Sequence, residues 1–366
     1  MSRPRAVYKP FFGLVILLTL AGFFIFFSAS LGLLNRSDSA SFNTVAIKQF
    51  VIMLVSLTAM LVVSKINYKY WQKFAWLFFL ASLVLTLLVF MPGLGFLAGG
   101  ARRWILLGGM SIQTSEFLKL GYVVYLAAHL SRPKEEIQSF RHGLLPFILI
   151  TGVVSAVMIA QPDISTLGIM LAGGVAMFFV AGARWRDLGA LLLIGIIGIS
   201  AVIYHKPYTQ ARIKTFFKPN ENVLSSSYQV NQSLIAIGSG GLAGRGFGQS
   251  IQKFKYLPEP IGDSIFSVAG EEFGFVGTTV IMLLFLGLAL TGLKIATRAP
   301  NQFSRLLTIG IVIMITAGMF INVASMVGLI PLNGTPLLFV SQGGTALLLV
   351  LIESGIILNI SKHYKA

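Results

Sequence analysis

The sequence contains no cysteine, so it can build neither a disulfide framework nor a thiolate metal site. Charge is scarce as well. Only 11% of the 366 residues are charged, against roughly 25% in a soluble domain, which excludes a solvated surface wrapped around one apolar core. Acids are scarcest: 12 Asp and Glu stand against 28 Lys and Arg, for a net charge of +16. In a soluble protein that excess would suggest a nucleic-acid partner. Here the cations sit in short connections between apolar runs and read as a topology signal, with no nucleic-acid role. Tandem repeats and low-complexity tracts are missing too, and residues 1–366 read as one domain.

What the sequence holds in abundance is hydrocarbon: 55% of residues are hydrophobic and mean hydropathy is +0.83. Crossing roughly 30 Å of lipid takes about 20 apolar residues. Runs of that kind lie at 11–34, 46–64, 71–91, 114–130, 144–160, 164–181, 188–204, 276–293, 306–329 and 344–360. The first is too long for a signal-peptide core and lacks a small-residue cleavage site, so it is read as a retained helix. The expectation is an all-α polytopic membrane protein of about ten transmembrane helices. Arg3, Arg5 and Lys9 share a side with the cations near 65–73, 132–141, 184–186, 294–305 and 362–365, whereas the short loops opposite hold only Arg36, Lys48, Arg102 and Arg103. The positive-inside rule then places both termini in the cytoplasm and requires an even number of spans.

A large extracytoplasmic loop, 205–275, separates the seventh and eighth spans. It carries Lys206, Arg212, Lys214, Lys218, Arg245, Lys253 and Lys255, a charge that invites an anionic ligand at the membrane surface. Its glycine-rich stretch, 238–248, matches a dinucleotide fingerprint only by count, since no strand precedes it and no βαβ unit surrounds it. Tight turns that bring backbone close to a ligand or a neighbouring helix are the expected use.

Several polar residues do not belong in lipid. Glu116 and Lys119, three apart on one helix face, can neutralise each other or line a cavity. Asp163, in the turn Gln161-Pro162-Asp163, can cap the sixth span or serve a site. Arg102 and Arg103 precede Trp104 at the membrane interface, and phosphate or pyrophosphate is their natural partner. Glu259 and Asp263 fall in a turn-rich segment before Phe266, and cations nearby would keep such a carboxylate ionised at a low pKa.

Together these segments resemble the SEDS family (shape, elongation, division and sporulation) of peptidoglycan glycosyltransferases. The strings occur in the family's order: Ala101-Arg-Arg-Trp104, Gln113-Thr-Ser-Glu-Phe-Leu-Lys119, Gln161-Pro-Asp163, Tyr256-Leu-Pro-Glu-Pro-Ile-Gly-Asp-Ser264 and Pro336 to Gly344. The resemblance puts the essential acid on Asp263 and further motif positions on Lys48, Arg103, Trp104, Glu116, Lys119 and Asp163. The final outer loop departs from the family: Gln342 stands for Tyr and Leu338 for Pro, while Ser341, Gly343 and Gly344 remain. The ending Gly355-Ile-Ile-Leu-Asn-Ile-Ser-Lys362 looks more FtsW-like than RodA-like.

The resemblance implies polymerisation of lipid II at the outer face of the bacterial cytoplasmic membrane, for septal wall synthesis. That chemistry needs a base, positive charge for a departing pyrophosphate and a greasy groove. Asp263 is the candidate base. Arg102, Arg103, Lys119, Arg245 and Lys253 are candidate cations, with Trp104, Glu116, Asp163 and Ser341 as further substrate contacts. A divalent cation, magnesium or manganese, is implied by the resemblance alone, since no clustered ligand set stands in the sequence. The implied partners are membrane lipid and a class B penicillin-binding transpeptidase with other division proteins. Small residues in the last two spans, among them Gly310, Gly318 and Gly355, either receive a partner's helix or pack within the bundle. A lipid flippase and a scaffold without catalysis are the competing functions. The flippase would work through Glu116 and Lys119.

Overall fold

The computed structural model describes residues 8–35, 42–98, 101–107, 110–217 and 226–363; Arg3, Arg5, Arg36, Lys218 and Lys365 lie outside them. The first part of the chain runs through α1 (Lys9–Ser30), α2 (Phe42–Val63), α3 (Tyr68–Lys73) and α4 (Ala75–Leu87). Three short strands follow, β1 (Gly95–Ala98), β2 (Ala101–Leu107) and β3 (Met110–Gln113). Next come α5 (Thr114–Leu130), α6 (Lys134–Ile137), α7 (Leu145–Ala160), α8 (Ile164–Ala181) and α9 (Trp185–His205). The remainder holds α10 (Pro207–Phe217), α11 (Ser226–Ser239), α12 (Gln252–Lys255), α13 (Ile265–Thr297), α14 (Gln302–Met326) and α15 (Gly344–Ser361).

Every expected span finds a helix. Among the described residues eight helices are long and apolar enough to cross a membrane, and the apolar stretch Ala75–Phe90 and the 17-residue α5 supply the others. The protein is a polytopic membrane bundle. Local chemistry sets several helix ends. Asn301 and Ser304 cap the start of α14 reciprocally, Asp163 caps α8, and Gly182 ends α8 in the left-handed conformation at φ 102°.

α14 and α15 form the centre of the bundle. α15 packs on α2, α14 on α5, α8 and α13, and α13 on α1. Three glycines of these central helices face other parts of the chain. A Cβ on Gly310 would meet Met177 and Val123, one on Gly318 would touch Leu338 and Ile169, and one on Gly355 would fall 2.6 Å from the Met60 carbonyl oxygen. They serve close packing within the bundle, as small residues do where backbones approach in lipid. α9 is the opposite case: not one of its 21 residues is buried.

Two features differ from the expectation. The segment 205–275 is largely helical: α10, α11 and α12 occupy it, and α13 runs from Ile265 but breaks at Gly274 (φ 65°, ψ −163°), so buried Glu271 and Glu272 lie in a short helix ahead of the break while the apolar span beyond it starts where expected, near 276. Period and apolar content could not reveal the short helix before the break, because Glu271 and Glu272 interrupt the hydrocarbon run. Residues 95–113 form a three-stranded antiparallel sheet in the order β1-β2-β3, pairing Phe96 with Trp104 and Trp104 with Gln113. Its strands are too short to stand out from neighbouring apolar runs.

The two ends of the described chain meet. The Tyr8 amide donates to Ser361 Oγ at 3.2 Å. Asn359 accepts from the Tyr68 amide at 2.9 Å and donates to the Ser64 carbonyl at 2.9 Å. α15 therefore starts at the sheet, where the Gln113 amide donates to Thr345 Oγ1, and finishes at the opposite face beside the start of α1.

Candidate active site at Asp263

Asp263 sits two residues before α13, in a turn opened by Glu259, whose φ of 46° is unusual for a residue with a side chain. The turn is fastened on both sides of the aspartate. Ser341 Oγ donates to the Gly262 carbonyl at 2.8 Å and accepts from the Leu337 amide at 2.8 Å. The Gln342 amide donates to the Ile261 carbonyl at 2.7 Å. Asn322 Nδ2, from α14, donates to the carbonyl of Asp263 itself at 2.8 Å. Gln342 acts here through its backbone, so the exchange of Tyr for Gln leaves this tie available.

The Asp263 carboxylate is half-buried. Burial pushes its pKa up to about 6 and Glu259 adds to the rise, while Arg212 and Arg103 oppose it. This corrects the expectation of a low pKa: withdrawal from water outweighs the two cations. A base whose pKa approaches the working pH accepts a proton more readily than an ordinary aspartate and is still mostly ionised at neutral pH.

Arg103 reaches the site from β2. Its guanidinium donates to the carbonyls of Gln161 and Pro162 and lies 3.9 Å from Asp163 Oδ1. Asp163 in turn accepts from the Thr166 amide at 3.4 Å and from Ser115 Oγ at 3.3 Å. It is a helix cap and an Arg103 partner at once. Successive side chains on a strand point to opposite faces. Arg102 is accordingly exposed, whereas Arg103 is mostly buried; Trp104 is half-buried.

Glu116 and Lys119 form a 2.8 Å ion pair, both buried on α5. Asp163 and buried Glu353 of α15 also act on Lys119 electrostatically. Through Ser115 and Asp163 this pair adjoins the Arg103 cluster.

Lys253 and Arg245 lie in a different cluster. Lys253 is fully enclosed, and its ammonium donates to Glu272 at 2.7 Å, Ser28 Oγ at 3.1 Å and the Gly248 carbonyl at 3.0 Å. With all three donors occupied it has none for a pyrophosphate, which corrects its place among the candidate cations. Arg245 lies 3.6 Å from Glu271, which also accepts from Ser250 Oγ and the amides of Ile251 and Gln252. The glycine-rich stretch approaches α13 backbone to backbone: the amides of Arg245 and Gly246 donate to the carbonyls of Glu271 and Glu272. Gly244, at φ 80°, fits because a Cβ there would collide with the Glu272 carbonyl. The close approach expected of these glycines is to a helix.

The sequence names Arg212 only among the seven loop cations and singles out neither Asn322 nor Gly334. An ideal Cβ on Gly334, at φ 68°, would stand 3.3 Å from Asp263 Oδ2 and 3.8 Å from Arg212 Nη2, so the carboxylate and the guanidinium both border this glycine. The turn signal Asn333-Gly334 was the available hint. Beside Arg212 a cavity of about 170 Å³ opens between α10, α11 and the end of α14, its walls polar at Ser227 and Asn231 and apolar at Leu234 and Leu332. Among the described residues no three His, Asp or Glu side chains cluster as metal ligands. Asp263 and Glu259 alone fall short of a protein-made site for a divalent cation.

A model of the FtsW, RodA and SpoVE family, described as cell cycle proteins, matches residues 8–366. The chain is 38% identical to stage V sporulation protein E of Bacillus subtilis (strain 168), covering 96% of this chain and 95% of that protein. It is 36% identical to a probable peptidoglycan glycosyltransferase FtsW of Geobacter sp. (strain M18), covering 96% of each. Among solved structures, a chain from a peptidoglycan synthase complex described as coordinating polymerization and crosslinking superposes with a TM-score of 0.78 at 24% identity, covering 95% of this chain and 97% of that one. Rod shape determining protein RodA of Thermus thermophilus superposes with a TM-score of 0.70 at 24% identity, covering 99% and 98%.

Proposed function

Because the chain belongs to the FtsW/RodA/SpoVE family of cell cycle proteins, the SEDS family, we propose that it is a peptidoglycan glycosyltransferase that polymerises lipid II, with Asp263 as the base. The observation that carries the proposal is the half-buried Asp263 carboxylate, pinned by its backbone and faced by Arg212 and Arg103. In the reaction a sugar hydroxyl of one lipid-linked disaccharide attacks the anomeric carbon of another. The new carbon–oxygen bond forms as the bond to pyrophosphate breaks, the electron pair leaves with undecaprenyl pyrophosphate, and the hydroxyl proton passes to Asp263. Arg103 and Arg212 supply positive charge where the pyrophosphate departs. The mixed walls of the cavity beside Arg212 suit the headgroup of an amphiphile.

The cation distribution orients the bundle with both termini in the cytoplasm, which puts Asp263 at the outer face of the cytoplasmic membrane. We assign the chain to the FtsW branch and to division, with a class B penicillin-binding transpeptidase as partner. FtsW relatives and the appearance of this fold in a peptidoglycan synthase complex support that assignment. A flippase driven by Glu116 and Lys119 is disfavoured by their neutralisation in a buried 2.8 Å pair.

The test is glycan synthesis from lipid II by purified protein. Wild type should make strands and Asp263→Asn should lose roughly 10² to 10⁴ of the rate, the usual contribution of a general base. Near-normal strands from folded Asp263→Asn protein would remove Asp263 from the mechanism, and lipid translocated without new glycosidic bonds would make the chain a flippase. Repeating the assay in EDTA tests the need for magnesium or manganese.

A further inference from the structure

We propose that Asn322 is a positioning residue for the polymerase reaction, holding the Asp263 main chain and the 333–335 turn in one fixed relation so that the carboxylate lies against Gly334 and within the field of Arg212. The inference rests on Asp263 being the base. Asn322 is fully buried on α14, and its Nδ2 donates twice, to the Asp263 carbonyl at 2.8 Å and to the Thr335 carbonyl at 2.7 Å. Both partners are acceptors only, so the amide must present its NH2 to them. Its Oδ1 finds no hydrogen-bond partner among the described residues. A buried amide with an orphaned oxygen is a poor choice for stability alone. The position suits a residue selected for two donors in one plane.

The turn it grips is itself fixed. Asn333 Nδ2 donates to the Ile321 carbonyl at 3.2 Å, the Thr335 amide donates to Asn333 Oδ1 at 3.0 Å, and Ser165 Oγ of α8 donates to the Asn333 carbonyl at 3.2 Å. Gly334 lies between those anchors with its open side toward Asp263 Oδ2. One amide therefore couples the backbone that carries the acid to the backbone that walls it. The charged groups that act on the carboxylate are Glu259, Arg212 and Arg103. Releasing the tie lets water reach the carboxylate and changes its distance from all three.

The experiment compares wild type, Asn322→Leu and Asn322→Ser in lipid II polymerisation, reading kcat, KM and the acid limb of the kcat profile, with thermal unfolding measured on the same samples. Asn322→Leu removes both donors at similar size. It should lower kcat on the order of tenfold or more while KM changes less than about twofold. The acid limb should move down by roughly one pH unit as the carboxylate gains water. A lowered unfolding temperature with kcat and acid limb unchanged would reduce Asn322 to a packing residue and overturn the inference. Should Asn322→Leu fail to fold, Asn322→Ser, with one donor on a shorter stem, carries the test: partial kcat loss with a shifted limb upholds the inference, and wild-type values overturn it. Folded wild type that makes no glycan overturns the polymerase reading together with this one, whereas wild-type activity with unaltered Asn322 variants overturns this one alone.

Discussion

At the scale of single residues, the environment of Asp263 sets the pH response. Burial holds its pKa at about 6, above the ordinary carboxylate value, so polymerisation should be constant above neutrality and fall as pH drops through about 6. A rate profile whose acid limb lies near pH 4 would show that the carboxylate is solvated. The same shift has a stability sign. Between the unfolded and folded pKa values the folded state binds more protons, so stability falls as pH rises through that window and the ionised, buried acid is a net cost at neutral pH. Asp263→Asn should therefore unfold no earlier than wild type at neutral pH, a comparison thermal unfolding makes directly. Gly334→Ala should do the reverse. It demands φ 68° of a residue with a Cβ and puts that atom 3.3 Å from Asp263 Oδ2, so kcat should fall on the order of tenfold to a hundredfold. The strand alternation separates Arg103, tied to Asp163, from exposed Arg102. Arg103→Ala should accordingly cut lipid II turnover well beyond Arg102→Ala, and equal small effects would make both interface anchors. Asp263, Arg103 and Asp163 were legible in the sequence because each is a charged group in an uncommon string. Asn322 and Gly334 were not, since an amide in an apolar helix and a glycine in a loop show their use only when 263 and 333–335 meet.

At the scale of elements, the outer segment is stitched to the bundle by buried charge. Lys253, Glu272 and Ser28 join α12, α13 and α1 in one hydrogen-bonded knot. Removing one partner of such a pair leaves an uncompensated buried charge, at a cost of about 3 to 5 kcal/mol. Lys253→Met should destabilise the protein by that order, and adding Glu272→Gln should restore much of it in thermal or denaturant unfolding. If Lys253→Met leaves stability intact and abolishes lipid II binding, the residue faces substrate after all. Spacing alone assigned Lys253 to a cationic loop. Its true partners are 19 and 225 residues away, and pairing over such separations leaves no local pattern. The same limit hid the short helix at the head of α13: hydropathy sees Glu271 and Glu272 as an interruption, whereas Arg245 and Lys253 pair with them just ahead of the break at Gly274.

At the scale of the whole molecule, burial is distributed unevenly. The central pair α14 and α15 is packed on most sides, while α9 buries nothing. Gly355→Leu would drive a side chain into the Met60 carbonyl and separate α2 from α15, so it should destabilise the isolated protein severely. Ile196→Ala on α9 should change unfolding by less than about 0.5 kcal/mol. Equal losses at the two sites would place α9 within the packed bundle. The spans themselves were readable throughout, because lipid permits few alternatives to a long apolar helix. Their arrangement was not, because hydropathy says where a helix crosses and nothing about its neighbours.

The meeting of Tyr8 with Ser361 has a topological consequence. A chain whose first and last spans begin and end side by side is a ring with one cut, and the position of that cut is arbitrary to the packing. A short linker across the present ends, with new ends opened in the turn between Arg298 and Asn301 on that same face, would preserve every crossing and its direction. Such a circular permutant would reverse the order in which α13 and α14 leave the ribosome, and still deliver Asp263 and Asn322 to one another.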